Sequence, residues 1–365
     1  MPQNLKPLTA LRFFAAMWVV LFDFTPSLGL GMPAVIGKGY LGVELFFVLS
    51  GFIISHVYME RFGTGQFRYG AFLWARLARI YPVHVATLVG LGLIVALARI
   101  VGVDAGDKVL SWSSLPAQLT LTHAWGLGLE GGWNHPSWSI SAEWFAYLAF
   151  PVFATALWPL RNRPRLALIL AGLAVVAISL GFQQLTGQSL SRATIAWGAL
   201  RIVPCFGLGC AVWLLWRTDL VRSSRIAGII AFLCAGLVAV TCATGAPDWL
   251  IILTFGGLIF GLAAMPSSGS TRLTAPGWVY LGEISFSIYM VCIPWQLVFS
   301  RGVTRLFNVS AEALPWPAWI ALVLGVIPVG MLAHHLVERP AREAMRRHPL
   351  TMGFGRARRL SGQSS

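Results

Sequence analysis

Ten apolar stretches of about 18 to 25 residues follow one another along this 365-residue chain, each long enough to cross a bilayer as a helix. A soluble fold has no interior that could hide so many. The stretches must face lipid or one another, and only helices satisfy their own backbone groups in that setting. The chain therefore reads as an all-α polytopic membrane protein with about ten transmembrane helices. They are expected at about 8–27, 38–58, 82–103, 137–158, 165–186, 194–216, 225–244, 248–266, 277–299 and 314–336. The first is read as a permanent span, because no small-residue cleavage site follows it.

Composition agrees and excludes rivals. Hydrophobic residues make up 57% of the chain and charged residues 11%, whereas a soluble domain carries about 25% charged residues. The net charge of +14 lies in short blocks between apolar segments, so it argues for topology rather than for nucleic-acid binding. RNRPR (161–165), RTDLVRSSR (217–225) and the basic stretch 68–82 fall on the side of both termini, which are therefore expected in the cytoplasm. Residues 59–81 read as an amphipathic basic link on that side. Residues 104–136, rich in Trp, Gly and Pro, read as the longest loop on the other side, partly re-entrant or interfacial. Residues 1–342 are expected to form the transmembrane domain and residues 343–365 a basic, disordered tail. The five cysteines lie in apolar segments, with no CxxC and no Cys/His spacing suited to zinc. Free thiols and no metal site are expected.

Charges inside the spans are the informative exceptions, because each costs several kcal/mol unless it faces a cavity or a partner. In LRFFAAMWVVLFDF, Arg12 and Asp23 are eleven residues apart; on a helix that is about 20° of azimuth and roughly 16 Å of rise. They share a face and are too distant to pair. Arg12 falls at the depth of Arg76 and Arg79, toward the basic loops. Asp23, Glu44, Glu143 and Arg201 fall toward the other end of their spans, with Trp138, Ser141, His123 and His135 nearby. One cationic level and one mainly carboxylate level result, joined by one face of the first span. Arg201 reads as a counter-ion of Glu143 or as a clamp on a carbonyl.

The motifs around these residues resemble the membrane-bound acyltransferase-3 family, bacterial enzymes that acylate sugars of envelope and exported glycans. LTALRFFAAMWVVLFDF, GYLGVELFFVLSGFIIS, ARLARIYP, WNHPSWSISAEWFAYLAFP, LRIVPCFGLG, LGEISFSIYMVCIPW and HHLVERPAR follow the family's order over nearly the whole chain. The resemblance implies transfer of an acyl group, most often acetyl, from cytoplasmic acyl-CoA to a hydroxyl of a glycan or glycolipid, in the bacterial inner membrane. The alternative function is a transporter or flippase. No permanently held cofactor is expected, acyl-CoA is expected as the donor substrate, and the bilayer is the remaining expected partner. No esterase-like domain is expected after the last span.

Within that resemblance Arg12, Arg76 and Arg79 are the donor-binding residues, suited to phosphate by charge and geometry. Asp23, Glu44 and Glu143 are the catalytic candidates, and Trp138, Ser141, Arg201 and His135 the acceptor or oxyanion candidates. Two positions depart from the family. Asp23 stands where the family has a histidine regarded as essential for transfer, and Cys292, read here as packing, where it often has another. An aspartate carboxylate, which ordinarily titrates at about 3.9, is a weak base at neutral pH. Three readings stay open: Asp23 shares a proton with Glu44 or Glu143, His135 or His123 supplies the imidazole, or the substitution silences transfer.

Overall fold

A computed structural model of the chain describes residues 5–102, 109–127, 131–265 and 272–347, and among these residues there are helices and turns but no strand. The helices are α1 (Lys6–Phe24), α2 (Gly42–Gly63), α3 (Tyr69–Ile100), α4 (Ser137–Leu148), α5 (Phe150–Leu157), α6 (Pro164–Thr186), α7 (Gly198–Trp216), α8 (Ser224–Ala243), α9 (Asp248–Ala264), α10 (Pro276–Phe307), α11 (Trp316–Ala333) and α12 (Arg339–Arg346). A π-turn, His334–Glu338, joins the last two.

Each of the ten expected spans is helical, but they are not equal. Among the described residues, eight helical segments are long and apolar enough to cross a membrane. A ninth crossing is the pair α4–α5, bent by 54°. Pro151, second in α5, removes a backbone donor at that break. α9, with 17 residues, is short beside the roughly 20 residues of a typical span.

Two boundaries differ from the sequence reading. The basic stretch before Pro82 is not a separate link: it forms the first turns of α3, which runs for 32 residues with Pro82 inside it. A proline at that point reads as a helix start, yet within a membrane bundle neighbouring groups tolerate it in the interior. The helical structure also continues past 342, through α12 to Arg346. Trp74 Nε1 of α3 donates to the Met345 carbonyl at 2.8 Å, docking α12 against the basic start of α3. The rest of the expected tail, 348–365, lies outside the described residues.

Burial separates a central group from a periphery. In α2 and α7, 72% of the apolar window is buried, against 17% in α6 and 22% in α8, whose outer faces expose residues such as Leu185 and Phe232. α2 packs on α7, and α1 on α10. Both crossings depend on glycine. A Cβ on Gly209 of α7 would lie 1.9 Å from the Val48 carbonyl oxygen, and one on Gly282 of α10 would lie 1.8 Å from that of Thr9. Small residues let backbones meet where apolar transfer offers no drive for helix association.

The described part of the long loop folds over the bundle. Trp133 Nε1 donates to the Ser111 carbonyl at 2.8 Å, Asn134 Nδ2 to the Met290 carbonyl of α10 at 2.8 Å, and Ala199 N of α7 to the Ala124 carbonyl at 3.0 Å. Asn134 and Ser137 are fully buried. α4 thus starts inside the protein, beneath the loop.

Candidate active site

Two cavities open among the central helices. The first is lined by Arg12, Arg76 and Arg79, by Arg342 and Arg346 of α12, and by Glu143, together with apolar residues of α2 and α10. Five guanidinium groups face one carboxylate. Arg76 Nε and Arg79 Nη2 are buried without a hydrogen-bond partner among the described residues. Buried donors are normally satisfied, so this chamber has the character of a site for an anion rich in oxygen acceptors. Glu143 accepts from Ser50 Oγ of α2 and, at 2.5 Å, from Tyr147 Oη one helical turn along α4.

The second cavity is lined by Asp23, Tyr40, His135, Trp138, Arg192 and Arg201, among others. The Asp23 carboxylate makes no hydrogen bond or ion pair among the described residues; only its backbone carbonyl is engaged, by Gln296 Nε2 at 3.4 Å. Arg192 lies with its guanidinium carbon 3.7 Å from the Tyr40 ring centre. One face of Tyr40 and one of Trp138 are covered by guanidinium groups, so the cavity offers a carboxylate, an imidazole and N–H donors, a lining suited to a ligand that carries hydroxyls.

The structure brings the donor candidates Arg12, Arg76 and Arg79 together and adds Arg342 and Arg346, which the sequence reading divided between the transmembrane domain and the tail. Their spacing of four residues was the available signal, since it puts both on one helix face. Ser50 and Tyr147 were also missed; in apolar helices they carry no pattern.

Among the other candidates the grouping changes. Glu143 does not share the level of Asp23 but faces the arginines, because α4 begins beneath the loop rather than at the surface. Arg201 pairs with Glu44 and not with Glu143. Its Nε lies 2.5 Å from Glu44 Oε1 and its Nη2 2.9 Å from Oε2, and its Nη1 donates to the Ala193 carbonyl at 2.9 Å. Its guanidinium carbon stands 4.5 Å from the Trp138 ring centre. Glu44 and Arg201 are almost wholly buried, so this fork joins α2, α7 and the loop before α7 into one wall of the Asp23 cavity. Neither Glu44 nor Glu143 is a hydrogen-bond partner of Asp23.

Ser141 lines neither cavity. Its Oγ donates to the Leu121 carbonyl at 2.8 Å and accepts from Ala124 N at 3.0 Å, holding the loop where Leu121 takes a φ of 57°. Trp138 and the exposed His135 line the Asp23 cavity. His123 lies apart, buried, with Nε2 3.1 Å from Ser137 Oγ and its ring 6.1 Å from that of His84 in a stacked arrangement. Burial, with His84 second, pushes its imidazole down to about 4. It is neutral and enclosed. All five cysteines are unpaired.

Known proteins share this sequence pattern. The acyltransferase-3 family, described as an acyltransferase domain, matches residues 6–335. The chain is 28% identical to the acyltransferase MdmB of Streptomyces mycarofaciens over 379 residues, covering 95% of this chain and 94% of that one. It is 24% identical to the putative peptidoglycan O-acetyltransferase YrhL of Bacillus subtilis, over 92% of this chain and 54% of that one. It is also 24% identical to the O-acetyltransferase OatA of Staphylococcus aureus, over 94% and 58%. The chain thus spans nearly all of MdmB and little more than half the length of YrhL and OatA. No solved structure matches. With its bundle of apolar helices and a family match that runs almost from end to end, the chain belongs to the acyltransferase-3 family and is a multi-pass membrane enzyme that transfers acyl groups.

Proposed function

We propose that the protein moves a short acyl group, acetyl in the simplest case, from acyl-CoA to a hydroxyl of an envelope or exported glycan or glycolipid. One observation carries the reading: a single helix, α1, presents Arg12 to an arginine-lined cavity and Asp23 to a cavity of aromatic and carboxylate character. A donor that ends in phosphates and an acceptor that carries hydroxyls need two such different sites.

The CoA phosphates lie against Arg76, Arg79, Arg342 and Arg346, by charge-assisted hydrogen bonds. The thin pantetheine arm points along α1 toward Asp23. The acceptor hydroxyl lies against Trp138 and Tyr40, with its proton directed at the unpartnered Asp23 carboxylate. Its oxygen attacks the thioester carbonyl carbon and Asp23 takes the proton. The C–S bond then breaks, CoA leaves as the thiolate and recovers that proton, and the products are the ester and CoA-SH. Glu44 and Arg201 hold the wall, and Glu143 orients Ser50 and Tyr147 on the donor side. The names of YrhL and OatA, both O-acetyltransferases, support oxygen as the acceptor atom and acetyl as the group. The excess of basic loops on the side of the termini supports an orientation with the arginines toward the cytoplasm, and the bacterial sources of the relatives support a bacterial inner membrane.

Purified protein in detergent tests this reading. Incubation with acetyl-CoA should release free thiol above the buffer rate, and more so with a soluble glycan offered as acceptor. Protein that neither binds CoA nor releases thiol overturns the reading.

A further inference from the structure

The two cavities meet at one wall. Val43 of α2 and Tyr289 of α10 line both of them, and both side chains are more than nine-tenths buried. The phenol is fixed in place: Tyr289 Oη donates to the Pro136 carbonyl at 3.0 Å and lies 2.9 Å from Ser139 Oγ. Its ring packs against Phe46 with centres 6.4 Å apart. Ser139 and Phe46 line the arginine cavity, whereas Pro136 lines the Asp23 cavity. The tyrosine hydroxyl is therefore latched across the boundary between the two chambers, and Val43 of α2 lines both sides of that boundary.

We propose that Tyr289 and Val43 form a size filter that decides which acyl groups pass from the donor cavity to Asp23. The inference rests on the acyl-CoA reading above and deepens it. The acyl chain is the leading end of a thioester that enters from the arginine side, so the chain must clear this wall before its carbonyl carbon meets a hydroxyl beside Asp23. The bulk of an aromatic ring packed against Phe46 and a stiff β-branched valine leave little room to give. An acetyl group asks for the least displacement. Each added methylene must find space in a packed interior, and apolar pockets discriminate by about 10-fold or more per methylene on that basis. The filter adds no chemical step. It acts through the space it leaves, so Tyr289 and Val43 are specificity residues rather than catalytic ones.

The test compares kcat/KM for acetyl-, butanoyl- and octanoyl-CoA in the wild type, Tyr289→Ala, Val43→Ala and Tyr289→Phe. In the wild type, butanoyl-CoA, two methylenes longer, should be used at least about 100-fold less well than acetyl-CoA. Each alanine variant should raise the butanoyl-to-acetyl ratio by about tenfold, with CoA affinity within about twofold of wild type, since affinity resides in the arginines. Tyr289→Phe keeps the ring and loses the latch, so its ratio should stay within about threefold of wild type, well short of the alanine effect. Should Tyr289→Ala fail to fold, Val43→Ala, a smaller change on the other helix, decides alone. An unchanged ratio in an alanine variant that still turns over acetyl-CoA overturns the filter and leaves the donor reading standing. So does a Tyr289→Phe ratio as high as that of Tyr289→Ala, which would assign the preference to the hydroxyl. Wild-type protein that uses no acyl-CoA overturns the donor reading and the filter with it.

Discussion

Arg12 and Asp23 stand on one face of α1 and open into different cavities, Arg12 among the arginines and Asp23 beside Trp138 and His135. A charge pair three turns apart on an apolar helix thereby has a physical reason that interfacial snorkelling does not supply. Each end of the face lines its own chamber, and α1 fixes the separation of the two as a rigid rod. The helix is held by its crossing with α10 at Gly282, which also carries Tyr289, the residue between the chambers. α1 therefore reaches both cavities, and α10 reaches the boundary between them.

The donor side makes the first prediction. Arg76→Ala, Arg79→Ala and Arg342→Ala should each weaken CoA binding by roughly 1.5 to 3 kcal/mol, the scale of a hydrogen bond to a charged group, or about 10- to 100-fold in Kd. Calorimetric titration with CoA measures this. Unchanged affinity in Arg342→Ala, with the two α3 variants weakened, would restrict the site to α3 and remove α12 from it.

Glu44 and Arg201 are expected to behave as architecture. Glu44→Gln or Arg201→Met alone leaves a buried charge unmatched and should cost about 3 to 5 kcal/mol, while the pair Glu44→Leu with Arg201→Met should recover most of that loss. Thermal melting in detergent reports the difference. A stable Glu44→Gln protein with abolished turnover would return Glu44 to the chemistry.

A pH dependence follows from His123. Its imidazole titrates at about 4 in the fold, first through burial and then through His84, and near 6.5 in the unfolded chain. Between those values the unfolded chain binds more protons, so stability is complete above about pH 6.5 and falls as the pH drops toward 4, by at most about 3 kcal/mol from this one group. The melting midpoint should decline over that window, and less so in His123→Gln. An equal decline in the variant would place the titrating group elsewhere.

That each expected span is helical was legible because apolar length and helical period are local properties. The same period put Arg12 and Asp23 on one face. What was not legible depended on distant chain. Glu44 and Arg201, 157 residues apart, carry no mutual signal before α2 and α7 meet. The depth of Glu143 was hidden because a span counted inward from the membrane surface takes no account of the loop that buries the first turn of α4. Tyr289 looked like one more aromatic in an apolar span. Arg342 and Arg346 were visible as a spaced pair but lay across the expected boundary between the transmembrane domain and the tail.

The decisive measurement is acetyl transfer and CoA binding in Asp23→Asn, made on the same preparation. The substitution keeps the shape of the side chain and removes its ability to take a proton. If a hydroxyl is deprotonated in the Asp23 cavity while the donor is held eleven residues away among the arginines, the variant should bind CoA as the wild type does. Its transfer should fall by about 10²- to 10⁴-fold, the usual contribution of a positioned base. Asp23→His, which puts an imidazole with a pKa near neutrality at that position, should transfer at least as well as wild type at neutral pH. Undiminished transfer by Asp23→Asn would contradict the assignment and move the base to another residue of that cavity, His135 first.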